Sequence, residues 1–171
     1  MSEENDCNDC NECNEREQCA ICNGGIEAFA ANLDRMIAEH GHSIIGTGTD
    51  SGGGKTVAMS YTVGLSDKGF PELITFGLPQ DVAQFILNDA AKLLIDGKLP
   101  VNEPVVGLAN LPMIFKEVSP STAEGYINVA NRRAGRLLPA LQMVIPDRNG
   151  LYPWNDGFDT AFLKLQRQLY A

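Results

Sequence analysis

Five cysteines, all within the first 22 residues, are the side chains whose type and spacing point most directly to chemistry. Cys7 and Cys10 form one CxxC pair, and Cys19 and Cys22 form a second pair after eight intervening residues. Both sulfurs of such a turn can reach one ion, and four thiolates suit tetrahedral Zn²⁺. We therefore predict a structural zinc site, because four thiolates leave no open position on the metal for a substrate.

The cysteine pattern leaves several alternatives open. Cys13 is a fifth sulfur that could replace one of the four ligands, and His40 or His42 could complete a site built on one CxxC pair. An iron–sulfur cluster is a weaker option. The segment could also bind no metal and oxidise only in vitro.

The glycine-rich stretch GTGTDSGGGKT at residues 46–56 resembles a phosphate-binding loop, but two features argue against that function. A P-loop needs a glycine five residues before its Gly-Lys, and Thr49 occupies that position. The loop must also lead into a helix, whose N-terminus holds the phosphate. Here the next residues, VAMSYTV, alternate with the period of a strand. We predict a hairpin loop between two strands.

A long loop, PDRNGLYPWNDGF at residues 146–158, concentrates polar and aromatic side chains. Long loops on a rigid scaffold often form binding sites, although such a loop can also be closed by its own side chains. The candidate ligand-binding residues are Tyr61, Glu72, Asp147, Arg148, Trp154 and Asp156. For Glu72 a structural ion pair or a helix cap is the alternative.

Composition and charge restrict the class of protein. The chain has 171 residues, of which 44% are hydrophobic and 20% charged, as in ordinary globular domains. Its net charge is −9; residues 1–23 hold seven acids and one base, and no basic face is evident. Binding to nucleic acid is therefore not expected. No apolar run has the length of a membrane span, and no signal peptide is evident, so we expect a cytoplasmic protein.

Periodicity predicts the element order α-β-β-β-α-β-β-α-β-α. The early strands are too close together for parallel crossovers, so they should pair antiparallel. We predict an acidic, cysteine-rich arm at residues 1–23 and a single α+β domain at residues 24–171. Its sheet should be mixed, mainly antiparallel and curled, with three or four helices packed on it. The first helix should cover residues 25–40. The second helix should bury Val82, Phe85, Ile86, Ala90, Leu93 and Leu94. A third helix should begin at a capping box formed by residues 121–124, with Ser121 as its cap, and a short helix should end the chain.

Several segments in series resemble the bacterial and phage family DUF4262 over about residues 19–170. They are CAIC (19–22), HG (40–41), YTVGL (61–65), PEL (71–73), FGLP (76–79), ALQ (140–142), PDRNG (146–150) and PWNDGF (153–158). The resemblance implies a small soluble domain without an established activity. The chain departs from the family pattern at Phe70, where members often carry His, and at His42, where an aromatic residue is common.

We predict a zinc-containing binding or interaction module, from a bacterium or a phage, that captures a small molecule, such as a nucleotide-like one, or a host protein. No catalytic constellation is visible in the sequence. An enzyme is the alternative, either an FMN-binding split barrel or a metal-dependent hydrolase that uses His40, Glu72 and Asp147. A homodimer in which the cysteine arm reaches a neighbouring copy is a third option.

Overall fold

Short connections between strand-like segments favour hairpins, and the sheet is built around two such pairs. The computed structural model of the protein describes residues 20–50 and 56–171. The strands are β1 (Ser43–Asp50), β2 (Thr56–Val63), β3 (Glu72–Phe76), β4 (Pro104–Val105), β5 (Met113–Val118) and β6 (Ala140–Val144). The α-helices are α1 (Ala20–His40), α2 (Gln80–Ile95), α3 (Pro120–Ala123) and α4 (Asn128–Ala134), and 3-10 turns cover Leu65–Lys68 and Thr160–Lys164.

The six strands form one sheet in the order β1-β2-β3-β6-β5-β4. β3 and β6 pair in parallel, whereas every other neighbouring pair is antiparallel. The α+β class and the mixed, mainly antiparallel sheet are therefore confirmed. The hairpin on either side of the glycine-rich loop is also confirmed, because β1 and β2 pair in antiparallel register from Ser43 and Val63 to Asp50 and Thr56.

The chain divides into two compact units, Met1–Gly41 and His42–Ala171. In the first unit, α1 contains a non-helical residue at Gly25 (φ 72°) and ends where the Gly41 N–H donates to the Ile37 carbonyl at 2.7 Å. The positive φ of Gly41 (86°) is the expected geometry for a glycine that terminates a helix. The division at residue 23 stays a prediction, because residues 1–19 lie outside the described residues.

The second unit is built around its central strands, β3 and β6, in which every residue is buried. The apolar core contains residues of α2, β3, β5 and β6, among them Leu87, Leu73, Phe115 and Met143. Phe76 of β3 makes an edge-to-face contact with Tyr126, which lies between α3 and α4. Strands that are buried on both faces carry near-continuous apolar sequence, which explains why alternation fades in these segments.

Four details of the predicted helices were wrong. The buried face of α2 consists of Ala83, Ile86, Leu87, Ala90 and Ala91, whereas Val82 and Phe85 are 40% and 66% exposed. These buried positions also follow helical spacing; Ile86 and Ala90 were predicted, whereas Ala83, Leu87 and Ala91 were not. The predicted third helix is two short helices, and the C-terminal helix is only a 3-10 turn. The cap of α3 is Ser119 and not Ser121, because Pro120 fits the first helical position.

Candidate functional site

Asp147 organises the long loop at residues 146–158. Its side chain is fully buried, and its Oδ1 accepts hydrogen bonds from the N–H groups of Asn149 (2.8 Å) and Leu151 (3.0 Å). Its Oδ2 accepts one from the N–H of Asp159 (2.9 Å). The hydrogen bond from Asp159, helped by those from Leu151 and Asn149, holds the pKa of Asp147 below its usual value against the effect of burial. Asp147 therefore closes the loop with its own carboxylate.

The middle of the loop carries an aromatic stack. The rings of Tyr152 and Trp154 are parallel to within 6° at a centroid distance of 5.2 Å. The Nζ of Lys116 lies 4.5 Å from the centroid of the Trp154 ring, and Tyr170 meets Trp154 edge-to-face at 5.8 Å. The Tyr152 hydroxyl donates to the carbonyl of Pro112 at 2.8 Å, which ties the stack to the start of β5. Trp154 remains 45% exposed.

The C-terminal segment is held against β6 by two glutamines. Gln142 of β6 accepts a hydrogen bond from the N–H of Leu169 (2.8 Å) and donates one to the carbonyl of Arg167. Gln166 accepts from the N–H of Ile145 (2.8 Å) and donates to its carbonyl (2.7 Å). Both glutamines are buried. This pairing fixes the backbone of residues 166–169 beside the sheet and thereby positions Tyr170.

A cavity of about 710 Å³ lies where the end of β5, the start of β6, Pro71 and the C-terminal segment meet. We call it the β5–β6 cavity. It is lined by Pro71, Glu117, Val118, Ser119, Pro120, Thr122, Pro139, Ala140, Leu141, Leu169, Tyr170 and Ala171. Most of these side chains are apolar, and the polar ones are two hydroxyl residues, one carboxylate and one phenol. Such a lining is typical of sites for small organic molecules.

Tyr170 connects the cavity to the aromatic stack. Its ring contacts Trp154, and burial raises the pKa of its hydroxyl to about 12, so the phenol stays neutral at physiological pH. Its hydroxyl oxygen is buried and has no hydrogen-bond partner among the described residues. Such a group normally finds a partner in folded proteins, so a ligand or a water could satisfy it.

Two of the predicted site residues, Tyr61 and Glu72, lie close enough to interact but serve the fold. Glu72 Oε2 accepts a hydrogen bond from the Thr62 hydroxyl (2.6 Å), and its Oε1 accepts from the N–H groups of Gly64 and Ser66 (both 3.1 Å). The carboxylate thus caps the 3-10 turn Leu65–Lys68. Burial raises the pKa of Tyr61, a backbone hydrogen bond of Val129 opposes this, and the Glu72 carboxylate adds to it.

The remaining predicted residues are not brought together around the cavity. Arg148 and Asp156 are exposed in the loop. Trp154 is not among the lining residues, but its ring contacts that of Tyr170, which is. The lining residues Glu117, Ser119 and Tyr170 were not predicted. No local motif marks them, because the cavity is assembled from four separate parts of the chain.

The histidines lie in different settings. His40 is exposed in the last turn of α1, where its Nε2 lies 3.7 Å from a carboxylate oxygen of Glu39. His42 is only 8% exposed, and its Nε2 lies 2.8 Å from Asn88 Oδ1. Asn88 lies in α2, so this contact joins the residue before β1 to that helix.

The predicted zinc site cannot be located in the structure. Cys7, Cys10, Cys13 and Cys19 lie outside the described residues, and of Cys22 only the backbone, within α1, is described. In the part of the chain that the structure describes, no three His, Cys, Asp or Glu side chains are grouped so as to hold a metal ion. FMN binding, metal-dependent hydrolysis and homodimer formation stay predictions.

Comparison with known proteins gives one match. The family model described as "Domain of unknown function (DUF4262)" matches residues 36–159 of the chain. Neither the curated proteins nor the solved structures gave a match. Among the described helices, none is both long and apolar enough to cross a membrane.

Proposed function

Because the chain belongs to the DUF4262 family, whose function is unknown, we propose that it is a binding protein that takes a small organic molecule into the β5–β6 cavity. The single observation that supports the proposal is the cavity itself. Its volume of about 710 Å³ lies within the usual range of small-molecule sites. Its walls offer apolar surface to the body of a ligand and a few polar groups to orient it.

The walls of the cavity are held firmly enough to form a site before a ligand arrives. Val118, Ala140 and Leu141 belong to paired strands, in which Val118 is opposite Ala140. The opposite wall, with Leu169 and Tyr170, follows a segment that is hydrogen-bonded to β6 through Gln142. A preformed site loses little conformational entropy on binding, which favours affinity.

The cavity size sets the expected affinity. A ligand that buries about 200 Å² of apolar surface gains about 5 kcal/mol from its transfer out of water. Polar contacts add to this gain, whereas the loss of translational and rotational freedom reduces it. We expect dissociation constants between about 10 µM and 1 mM for unoptimised fragments of the right shape.

A fragment screen with ligand-observed NMR tests the proposal. Thr122 lines the cavity and is exposed, so Thr122→Phe should occlude the cavity at little cost in stability. Thr160→Phe places the same side chain at an exposed position outside the cavity and serves as the matched control. We expect fragments that bind the wild type and the Thr160→Phe variant to lose at least about tenfold in affinity for Thr122→Phe.

Two results would reject this function. One is that no fragment of the panel binds the wild type at millimolar concentration. The other is that Thr122→Phe binds the same fragments with unchanged affinity, which would place their site elsewhere. Thermal unfolding of all three proteins shows whether each variant is folded.

The proposed module includes a structural zinc ion bound by Cys7, Cys10, Cys19 and Cys22. The support is the spacing of the two CxxC pairs, which is typical of zinc ligands. We expect one zinc per chain in protein purified under reducing conditions. Cys19→Ser should lose the metal, whereas the matched Cys13→Ser should retain it. A wild type without metal, or equal zinc in both variants, would contradict this assignment.

A further inference from the structure

The charges that line the β5–β6 cavity select among ligand classes. Among the described residues, Glu117 is the only charged side chain that lines it, and no Lys, Arg or His of this part of the chain does so. An anionic ligand would therefore lose hydration without gaining a cationic partner. This argues against a nucleotide-like ligand, whose phosphates need donors or cations.

The alternation of β5 separates its two neighbouring charges. Successive side chains of a strand point to opposite faces, so Lys116 and Glu117 diverge. Lys116 lies over the Trp154 ring at 4.5 Å, whereas Glu117 lines the cavity. Within the described ranges, no hydrogen bond or ion pair to the Glu117 carboxylate is formed. This carboxylate is therefore available to a cation that enters the cavity.

The rest of the lining suits the body of an organic cation. Val118, Leu141 and Leu169 provide apolar surface, and all three are buried in the wall. Tyr170 adds an aromatic ring, which attracts cations through its electron-rich face. Its hydroxyl is neutral, so it does not repel either charge.

We propose that the β5–β6 cavity binds an organic cation, with an ammonium or amidinium group at Glu117 and an apolar body against Leu169 and against Leu141, which is opposite Glu117 in the sheet. This inference rests on the proposed function, since it names the class of ligand for the same cavity. A cationic group gains an ion pair at Glu117 that a neutral group of the same shape lacks.

Three probes with one carbon frame and different charges test the inference: 4-phenylbutylamine, 4-phenylbutanol and 4-phenylbutyrate. Their affinities are measured by NMR titration at low salt. For the wild type we expect the amine to bind about fivefold more tightly than the alcohol, the upper end for a partly exposed ion pair. The carboxylate should bind most weakly. The preference for the amine should decrease as salt is added.

The variant Glu117→Gln removes the charge and keeps the shape, so the amine and the alcohol should then bind equally well. Glu103→Gln makes the same change at an exposed site outside the cavity and should leave the preference intact. If the alcohol binds as well as the amine in the wild type, or if Glu117→Gln keeps the preference, the cation assignment is wrong while the proposed function stands. If none of the three probes binds while fragments of the panel do, the cation assignment is wrong and the proposed function stands; if no fragment of the panel binds either, both fail.

Discussion

Replacement of Glu72 should destabilise the protein strongly, although a carboxylate at the start of a strand gives no sign of such an effect in the sequence. The carboxylate is fully buried and accepts three hydrogen bonds, from the Thr62 hydroxyl and from the N–H groups of Gly64 and Ser66. Thr62 is in turn held by the N–H of Leu73, which donates to its hydroxyl oxygen at 2.8 Å. The 3-10 turn between β2 and β3 therefore depends on this one side chain.

The magnitude follows from the number of donors that lose their partner. A buried donor without an acceptor costs about 1–3 kcal/mol, and Glu72→Ala leaves two backbone N–H groups in this state. We expect the free energy of unfolding to fall by about 4 kcal/mol. Glu72→Gln keeps one acceptor oxygen but turns an amide N–H₂ group towards one of the donors. We expect it to cost about 2 kcal/mol, since one charge-assisted hydrogen bond is lost.

Urea unfolding followed by circular dichroism measures both values, and Glu103→Gln serves as the control for the loss of one exposed carboxylate. Because natural domains are stable by only about 5–15 kcal/mol, the expected midpoint shift is large. A cost below about 1 kcal/mol for Glu72→Ala would refute the assignment of Glu72 as a cap. If ligand binding were lost in folded Glu72→Gln while stability was unchanged, Glu72 would belong to a binding site.

Two further predictions concern the long loop and the C-terminal segment. Asp147→Asn should destabilise the protein at pH 7, because the pKa of Asp147 is lower in the folded protein than in the unfolded chain. The carboxylate therefore contributes to the free energy of unfolding above about pH 4, and this contribution is lost as the pH falls through the folded-state pKa. In urea unfolding, the difference in stability between the variant and the wild type should decrease towards about pH 3, and a constant difference would contradict this. Gly77→Ala should cost about 2–3 kcal/mol, since its Cβ would lie 2.7 Å from the Leu165 carbonyl oxygen at a φ of 78°. Gly69→Ala has a similar φ (82°) but open space, so it should cost only about 1 kcal/mol, and equal losses of thermal stability would show that the close approach has no effect.

Much of the fold was predictable because its determinants are local. The alternation after Thr56 predicted β2, and it excluded a helix after the glycine-rich loop. Gly41, Gly97 and Gly135 have positive φ, and each ends a helix or lies just beyond its end. These patterns depend on a few neighbouring residues, so they can be recognised in the sequence without knowledge of the tertiary structure.

The buried face of α2 was predicted incompletely for a physical reason. Ala90 was predicted to be buried, but Ala83 and Ala91, which are also completely buried, were not. Small side chains allow a helix to pack closely on a sheet, and such positions have little signal in a hydrophobicity pattern. The exposed Phe85 lies on the same helix, and nothing in its local sequence distinguishes it from a core residue.

The sequence by itself determined the class of the domain, the order of the strands along the chain, the position of the long loop and the cysteine spacing that suggests zinc. These features follow from the periodicity of apolar residues, from backbone preferences and from the four-ligand coordination that zinc prefers. Only the tertiary structure decided that Glu72 is a cap and that Glu117 and Tyr170 line one cavity. The partners of Glu72 are near it in the sequence, but the contact requires β2 to pair with β3. Glu117 and Tyr170 are far apart in the sequence, and they meet because β5 pairs with β6 and the C-terminal segment is hydrogen-bonded to β6, which no local pattern encodes.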